Sequence, residues 1–213
     1  MVWKLSTTYS GALVGIVGIA VLVAGALAWR FAPFIAPFSW TGEPTRLAQV
    51  LGVRPGLSIA DIGAGDGALA LEMASLVGRE GQVYATELAP DRLAAITRRV
   101  ERASVRNVRP VAATEGTTGL PARCCDVIYM RTVFHHIDDT PPFISSVVHA
   151  LRPGARVGVI DFEPGALWFH GADHGVRASD VVAAFQAEGL RLRARLDDWG
   201  GGMFLLVFER DAE

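Results

Sequence analysis

The chain of 213 residues has only two cysteines and almost no net charge, and each scarcity excludes a class of protein. Cys124 and Cys125 are adjacent, and because a vicinal disulfide is strained, they do not indicate a disulfide framework. We interpret them as small apolar residues at the entry to a strand. The 20 basic and 22 acidic side chains leave no positive excess for a phosphate backbone, so nucleic-acid binding is not expected.

The first 40 residues lack any acidic side chain, and their only basic residues are Lys4 and Arg30. Gly11 to Trp29 is a run of 19 uncharged residues. As a helix it would be roughly 28 Å long, which is close to the hydrocarbon thickness of a bilayer. We therefore predict an N-terminal domain, 1–40, that contains a single transmembrane anchor at 11–29.

Two alternatives to a retained anchor remain open. Ala26-Leu27-Ala28 resembles a signal-peptide cleavage site, so residues 1–28 could be removed, and a buried helix would also be apolar. Arg30 and Arg46 follow the span, whereas Lys4 alone precedes it. This small excess predicts a single-pass membrane protein whose main domain is cytoplasmic.

Strands and helices alternate over the main domain, 41–213. Strands are predicted at 57–62, 82–86, 108–112, 126–130, 156–162, 190–196 and 203–208, and helices at 43–51, 68–77, 90–103, 141–151 and 180–188. This alternation predicts an α/β fold with a doubly wound, mostly parallel, seven-stranded sheet. The last strand should be antiparallel, because residues 197–202 are only long enough for a hairpin. Ser179 is a candidate cap for the last helix.

A glycine-rich loop, Asp61-Ile62-Gly63-Ala64-Gly65-Asp66-Gly67, follows the first predicted strand, and Glu87 ends the second. Glycines let the backbone approach a ligand, and an acid at that place can accept hydrogen bonds from a ribose diol. The loop also satisfies the dinucleotide fingerprint, so NAD is a rival ligand. However, the Asp61 charge, with no Lys or Arg from 60 to 77, favours the cationic S-adenosylmethionine over a pyrophosphate.

The loop and Glu87 resemble the class I S-adenosylmethionine-dependent methyltransferases over roughly residues 45–210. Further similarity lies at 120–121, 126–128, 134–137 and 151–155. The resemblance implies that S-adenosylmethionine is the cofactor. It also implies roles for the residues of the predicted site. The methionine part would lie against Asp61, Gly63 and Gly65, the ribose hydroxyls on Glu87, and the adenine on Leu88. Ala64 and Gly67 of the same loop complete the predicted cofactor-binding set. Glu115, or a backbone group in its place, would replace the Asp that this family commonly has before Leu-Pro as the contact of the adenine amine.

Methyl transfer is an in-line displacement, for which the protein supplies alignment and sometimes a base. His136 and Asp161, after the fourth and in the fifth predicted strand, are the predicted catalytic residues. Six residues could converge as ligands of one metal ion: His135, His136, Asp138, His170, Asp173 and His174. Since their spacing matches no compact metal signature, no metal is predicted.

The leading hypothesis is methyl transfer from S-adenosylmethionine to a small or membrane-associated acceptor, such as a quinone precursor or a lipid-like molecule. An NAD-dependent oxidoreductase and a non-catalytic, membrane-tethered nucleoside-binding module remain open as alternatives. The sequence indicates no oligomeric state.

Overall fold

The computed structural model describes residues 42–166 and 174–212. The predicted anchor at 11–29 lies outside these residues, as do His170 and Asp173. None of the helices in the two described ranges combines the length and the apolar character that crossing a membrane requires. The anchor, its orientation and the domain boundary at residue 40 therefore stay predictions.

The main domain contains the predicted seven-stranded sheet. Its strands are β1 (Ser58–Ile62), β2 (Gln82–Glu87), β3 (Val108–Ala112), β4 (Cys125–Arg131), β5 (Leu151–Phe162), β6 (Arg191–Gly200) and β7 (Met203–Glu209). They lie in the order β3-β2-β1-β4-β5-β7-β6. β1 to β5 pair in parallel, whereas β7 is antiparallel to both β5 and β6. The predicted Rossmann-like sheet with a reversed last strand is confirmed.

Helices cover both faces of the sheet, as the alternation predicts. They are α1 (Glu43–Leu51), α2 (Ala68–Val77), α3 (Pro90–Ala103), α4 (Thr140–Ala150) and α5 (Ala178–Ala187). On one face, Leu47 of α1 and Met73 of α2 pack with Ile59 of β1. On the other, Ile144 of α4 and Phe185 of α5 pack with Ile128 of β4. The sheet is therefore buried on both faces, which explains its near-continuous apolar strands.

Two strand boundaries differ from the sequence-based prediction by more than one residue. β5 begins at Leu151, which pairs with Cys125 before the register shifts, so the predicted turn at 152–154 lies within the strand. Pro153 has no N–H to donate, and it is tolerated because the strand pairing is interrupted at this register shift. β6 extends to Gly200, so the predicted loop at 197–202 is a two-residue turn. Cys124 and Cys125 are buried free thiols at the start of β4, as predicted.

Ser179 is not the cap of α5, which is a correction to the prediction. The helix begins at Ala178, and the Ser179 hydroxyl donates to its neighbour Asp180 at 3.2 Å. The carboxylate of Glu163, just after β5, instead accepts the Ala178 N–H at 3.1 Å. A group distant in sequence therefore satisfies the helix terminus, which no local pattern could have indicated.

Candidate functional site

A cavity of about 900 Å³ lies where β1, β2 and β4 end. β1 is the strand between the two halves of the parallel sheet, and ligands of such folds bind at this switch point. Most of the predicted cofactor-binding residues line it, together with one predicted catalytic residue: Gly63, Ala64, Gly65, Glu87, Leu88, Glu115 and His136. Asp61, Gly67 and Asp161 are buried and do not line it.

Glycine is needed at each of the three positions of the loop for a different structural reason. All have positive φ, and a Cβ on Gly63 would lie 2.5 Å from a methyl carbon of Val133. Gly67 directly precedes α2 as its N-cap, and a Cβ there would lie 3.2 Å from a methyl carbon of Ile96, so its role is in packing. A Cβ on Gly65 would meet only Arg92, 3.9 Å away, at the wall of the cavity. Gly65 is therefore where the backbone leaves room for a ligand.

The Glu87 carboxylate connects the end of β2 to the glycine loop. Its Oε2 accepts the Gly65 N–H at 2.9 Å, and its Oε1 accepts the Leu88 N–H at 3.0 Å. Each carboxylate oxygen has a second acceptor position, so Glu87 can still accept hydroxyl protons from a ribose. The predicted acid and the predicted loop therefore form one structural unit.

The residues predicted to hold the adenine lie at the rim of the cavity. Leu88 is 54% exposed, the only large hydrophobic side chain with that status among the described residues. Glu115 is exposed in a turn closed by two backbone hydrogen bonds between Thr114 and Thr117. An uncovered Leu88 is consistent with a planar ring packing on it, and the Glu115 contact stays a prediction.

Asp61 is expected from the sequence to be negatively charged, but its environment in the structure favours the neutral acid. Burial raises its pKa from 3.8 to about 8, against the hydrogen-bonding effect of the Tyr129 hydroxyl. The Glu87 charge adds to the rise and the Arg131 charge opposes it. Nevertheless, neither Asp61 Oδ2 nor the Tyr129 hydroxyl has a partner of regular hydrogen-bond geometry in the described part of the chain. Asp61 is therefore mostly protonated at pH 7, with an orphaned polar atom beside the loop.

Asp161 is bonded to His135, and it is His136 that faces the cavity. Asp161 Oδ1 lies 2.7 Å from His135 Nδ1, and Oδ2 accepts the His135 N–H at 3.2 Å. Both side chains are almost fully buried, with 0% and 3% exposed. In this structure Asp161 therefore orients His135. Partial burial, with His135 and His174 nearby, lowers the pKa of His136 below 6.5 although Asp161 opposes this.

Two further residues of the site were missed by sequence reasoning. Arg131 ends β4, lines the cavity, and donates through Nε to Glu43 at 3.0 Å. Val133, two residues on, closes over Gly63. Both could have been predicted from their position directly at the end of β4, because the carboxyl ends of all parallel strands meet at the same edge of the sheet as the loop.

Comparisons with known proteins find methyltransferases that are similar to this chain. Residues 59–154 match the family model described as a methyltransferase domain. The ubiquinone/menaquinone biosynthesis C-methyltransferase UbiE of Shewanella sp. (strain ANA-3) is 28% identical over 54% of this chain and 46% of its own length. The protein-L-isoaspartate O-methyltransferase of Aeropyrum pernix is 32% identical over 54% of this chain and 43% of its own. The chain thus spans less than half the length of these relatives.

Solved structures share the fold. A SAM-dependent methyltransferase from Aquifex aeolicus aligns with a TM-score of 0.71 at 20% identity, over 78% of this chain and 88% of its own. A geranyl diphosphate methyltransferase in complex with GPP and sinefungin aligns with a TM-score of 0.67 at 14% identity, over 80% and 77%.

The residues present fit S-adenosylmethionine. Gly65 leaves a space that a side chain would fill, Glu87 offers acceptor positions for hydroxyls, and the orphaned Oδ2 of Asp61 can accept from or pair with a cationic group. The match over residues 59–154 and the fold support a methyltransferase domain, and the cofactor of this domain is S-adenosylmethionine.

Proposed function

We propose that the protein transfers the methyl group of S-adenosylmethionine to a small, largely apolar acceptor in the same cavity. The observation that carries the proposal is the 2.9 Å hydrogen bond from the Gly65 N–H to Glu87, which joins the loop and the acid at the wall of the cavity. The cofactor supplies an electrophilic methyl group on a sulfonium. The residues of the chain bind it, orient it and exclude water.

The remaining wall of the cavity supports an apolar acceptor that carries a hydroxyl group. Val133, Ile137 and Phe143 supply apolar surface there, and His136 lies among them. A neutral imidazole in this place can accept the proton of an acceptor hydroxyl, which makes the adjacent ring carbon nucleophilic. That carbon takes the methyl group as the bond to sulfur breaks and S-adenosylhomocysteine leaves, and transfer of the carbon's own hydrogen as a proton restores the hydroxyl. His136 is therefore the proposed catalytic base. The buried Asp161 is a positioning residue, because it orients His135, which directly precedes His136.

A quinone precursor is the acceptor we propose. The support is the similarity to a protein named as a ubiquinone/menaquinone C-methyltransferase, together with the predicted anchor at 11–29. An anchor would hold the cavity near a bilayer, where a prenylated quinol is dissolved, with the domain on the cytoplasmic side.

The test uses the purified full chain in detergent micelles with methyl-labelled S-adenosylmethionine. Three acceptors are compared: a prenylated demethyl quinol, the same ring without its tail, and a peptide that contains isoaspartate. We expect label in the prenylated quinol, and a kcat for His136→Ala at least about tenfold lower. His149→Ala is the matched control because His149 is exposed at the end of α4.

Each other outcome changes a specific part of the proposal. Label in the peptide alone would refute the quinone acceptor, and equal labelling of the tailless ring would refute the role of the membrane. Binding of S-adenosylhomocysteine without labelling of any acceptor would instead favour the non-catalytic module.

The anchor has a separate test. Val23→Arg places a charge in the middle of the predicted span, which costs about 3 kcal/mol for insertion. We expect this variant to leave the membrane fraction and Val23→Leu to remain there. Membrane extraction that is the same for both variants would contradict an anchor.

A further inference from the structure

Three histidines meet at the carboxyl ends of β4 and β5. His135 and His136 belong to a 3₁₀ turn, Phe134–His136, and His174 precedes α5. The ring of His135 lies 3.9 Å from that of His136 and 4.7 Å from that of His174, between centroids. One ring nitrogen from each residue lies within 4.8 Å of the other two. The fold therefore assembles part of the set whose spacing gave no metal signature in the sequence.

His135 is held as metal-ligating histidines usually are. Such histidines donate one ring N–H to a carboxylate, which fixes the tautomer and leaves the other nitrogen for the ion. Asp161 lies 2.7 Å from His135 Nδ1 and also accepts the His135 backbone N–H. Both side chains are buried, so this orientation is rigid. The lone pair of Nε2 is consequently free of that carboxylate.

His174 is fixed against the end of β5 by its neighbours. The Val176 N–H donates to the Phe162 carbonyl at 3.0 Å, and the Ala178 N–H donates to Glu163. Gly175, between His174 and Val176, has a φ of 124°, and a Cβ there would lie 2.7 Å from the Phe162 oxygen. Only glycine permits this close approach, and it brings the His174 ring against His135.

We propose that His135, His136 and His174 bind one divalent transition-metal ion, with Zn²⁺ as the best fit. Imidazole nitrogens suit zinc, and three histidines with an open fourth position are an established arrangement for it. Ligand nitrogens around tetrahedral zinc are about 3.3 Å apart, so a pair at the 4.8 Å limit needs to close by roughly 1.5 Å and a closer pair by less. Because His136 lines the cavity, the fourth position would be accessible from it.

The geometry of this site does not depend on the proposed function, but the two compete for His136. An imidazole nitrogen bound to a metal cannot also accept a proton, so a bound ion and the base role of His136 exclude each other in one molecule. The test therefore measures the metal itself and uses no activity assay.

The experiment uses the full chain, purified without a polyhistidine tag and treated with chelator. Zn²⁺ content is measured after equilibrium dialysis, and Co²⁺ is added as a probe because tetrahedral Co²⁺ absorbs strongly in the visible range. We expect one equivalent of metal and a tetrahedral Co²⁺ spectrum. His136→Ala and His174→Ala should each lower Zn²⁺ affinity at least about tenfold, and Asp161→Asn should lower it about 10- to 100-fold.

His149→Ala is the control, because this exposed histidine lies on α4 and should bind zinc as the native chain does. Folding of every variant is checked through its affinity for S-adenosylhomocysteine. A native chain that takes up no Zn²⁺ would overturn the proposal. So would zinc affinity that stays unchanged in both His136→Ala and His174→Ala, because the metal would then be bound elsewhere.

Discussion

The buried carboxyl group of Asp61 should make the stability of this fold fall as pH rises. Its pKa is about 8 in the folded protein against an ordinary value of 3.8. Between these values the folded state binds the proton and the unfolded state does not, so the free energy of unfolding decreases with increasing pH. The contribution is complete below pH 4 and is lost by the time pH has risen through about 8.

The magnitude follows from the linkage relation. Taking the folded pKa as 8, the Asp61 contribution falls by about 3 kcal/mol between pH 6 and pH 9. Asn has the same shape as Asp and no charge. The free energy of unfolding of Asp61→Asn, relative to the native chain, should therefore rise by about 3 kcal/mol over that range.

Urea unfolding of the full chain at both pH values checks this expectation. Subtracting the native chain removes the titration of all other groups, and equal m-values show that the same surface is exposed. Asp66→Asn is the control, because its carboxylate is exposed in the same loop and its effect should be the same at both pH values. A stability difference for Asp61→Asn that does not change with pH would refute the reasoning.

Binding of S-adenosylmethionine should convert Asp61 from the protonated, neutral acid to the carboxylate. At pH 7 about nine-tenths of the molecules carry the proton when the pKa is near 8. A sulfonium nearby favours the carboxylate, so S-adenosylmethionine should release more protons on binding than S-adenosylhomocysteine, which lacks that charge. Calorimetry in buffers of different ionisation enthalpy measures the difference, and Asp61→Asn should abolish it.

Three further substitutions test the site and its surroundings. Glu87→Gln should weaken S-adenosylhomocysteine binding about tenfold or more by calorimetry, because it removes a charged acceptor. Gly63→Ala should lower the free energy of unfolding by about 1–3 kcal/mol, since its Cβ would meet Val133, and adding Val133→Ala should recover part of that loss. Glu43→Gln should lower it by about 1–3 kcal/mol, because the nearly buried carboxylate accepts from Arg131 and Trp199.

Each of these predictions has a control and a contradicting result. Glu101→Gln, on the exposed side of α3, should change neither binding nor stability. Unchanged affinity in Glu87→Gln would remove Glu87 from the cofactor site. If Val133→Ala recovers nothing, the cost of Gly63→Ala is backbone strain alone, and Glu43→Gln with native stability would mean that its two donors are satisfied by water.

The architecture could be predicted from the sequence because the residues that begin and end its helices and strands are local signals. Glycines and prolines delimit the apolar runs, and α1, α2 and α3 begin and end where the patterns place them. The failures lie where a distant group decides the outcome. Glu163, and not Ser179, satisfies the start of α5, and a register shift against β4 keeps residues 152–154 within a strand.

The site was predictable in residue type but not in orientation. The motif identified Gly65 and Glu87, whose hydrogen bond depends only on strand order and spacing. Which of two adjacent histidines turns inward is set by a single 3₁₀ turn, and there His135 is buried and His136 faces the cavity. The sequence also assigns Asp61 a negative charge, whereas the charge depends on burial that only the fold determines.

Asp61 and Asp161 show why the same residue type has two roles at one edge of the sheet. Both carboxylate oxygens of Asp161 have donors within the protein: the backbone N–H and the ring nitrogen of His135, and the Phe162 N–H. Asp61 Oδ2 has no such partner among the described residues. A buried acceptor that lacks a donor is costly until a ligand supplies one. The difference in donors therefore explains why Asp161 holds a histidine, and it predicts that Asp61 is the carboxyl group that responds to the cofactor.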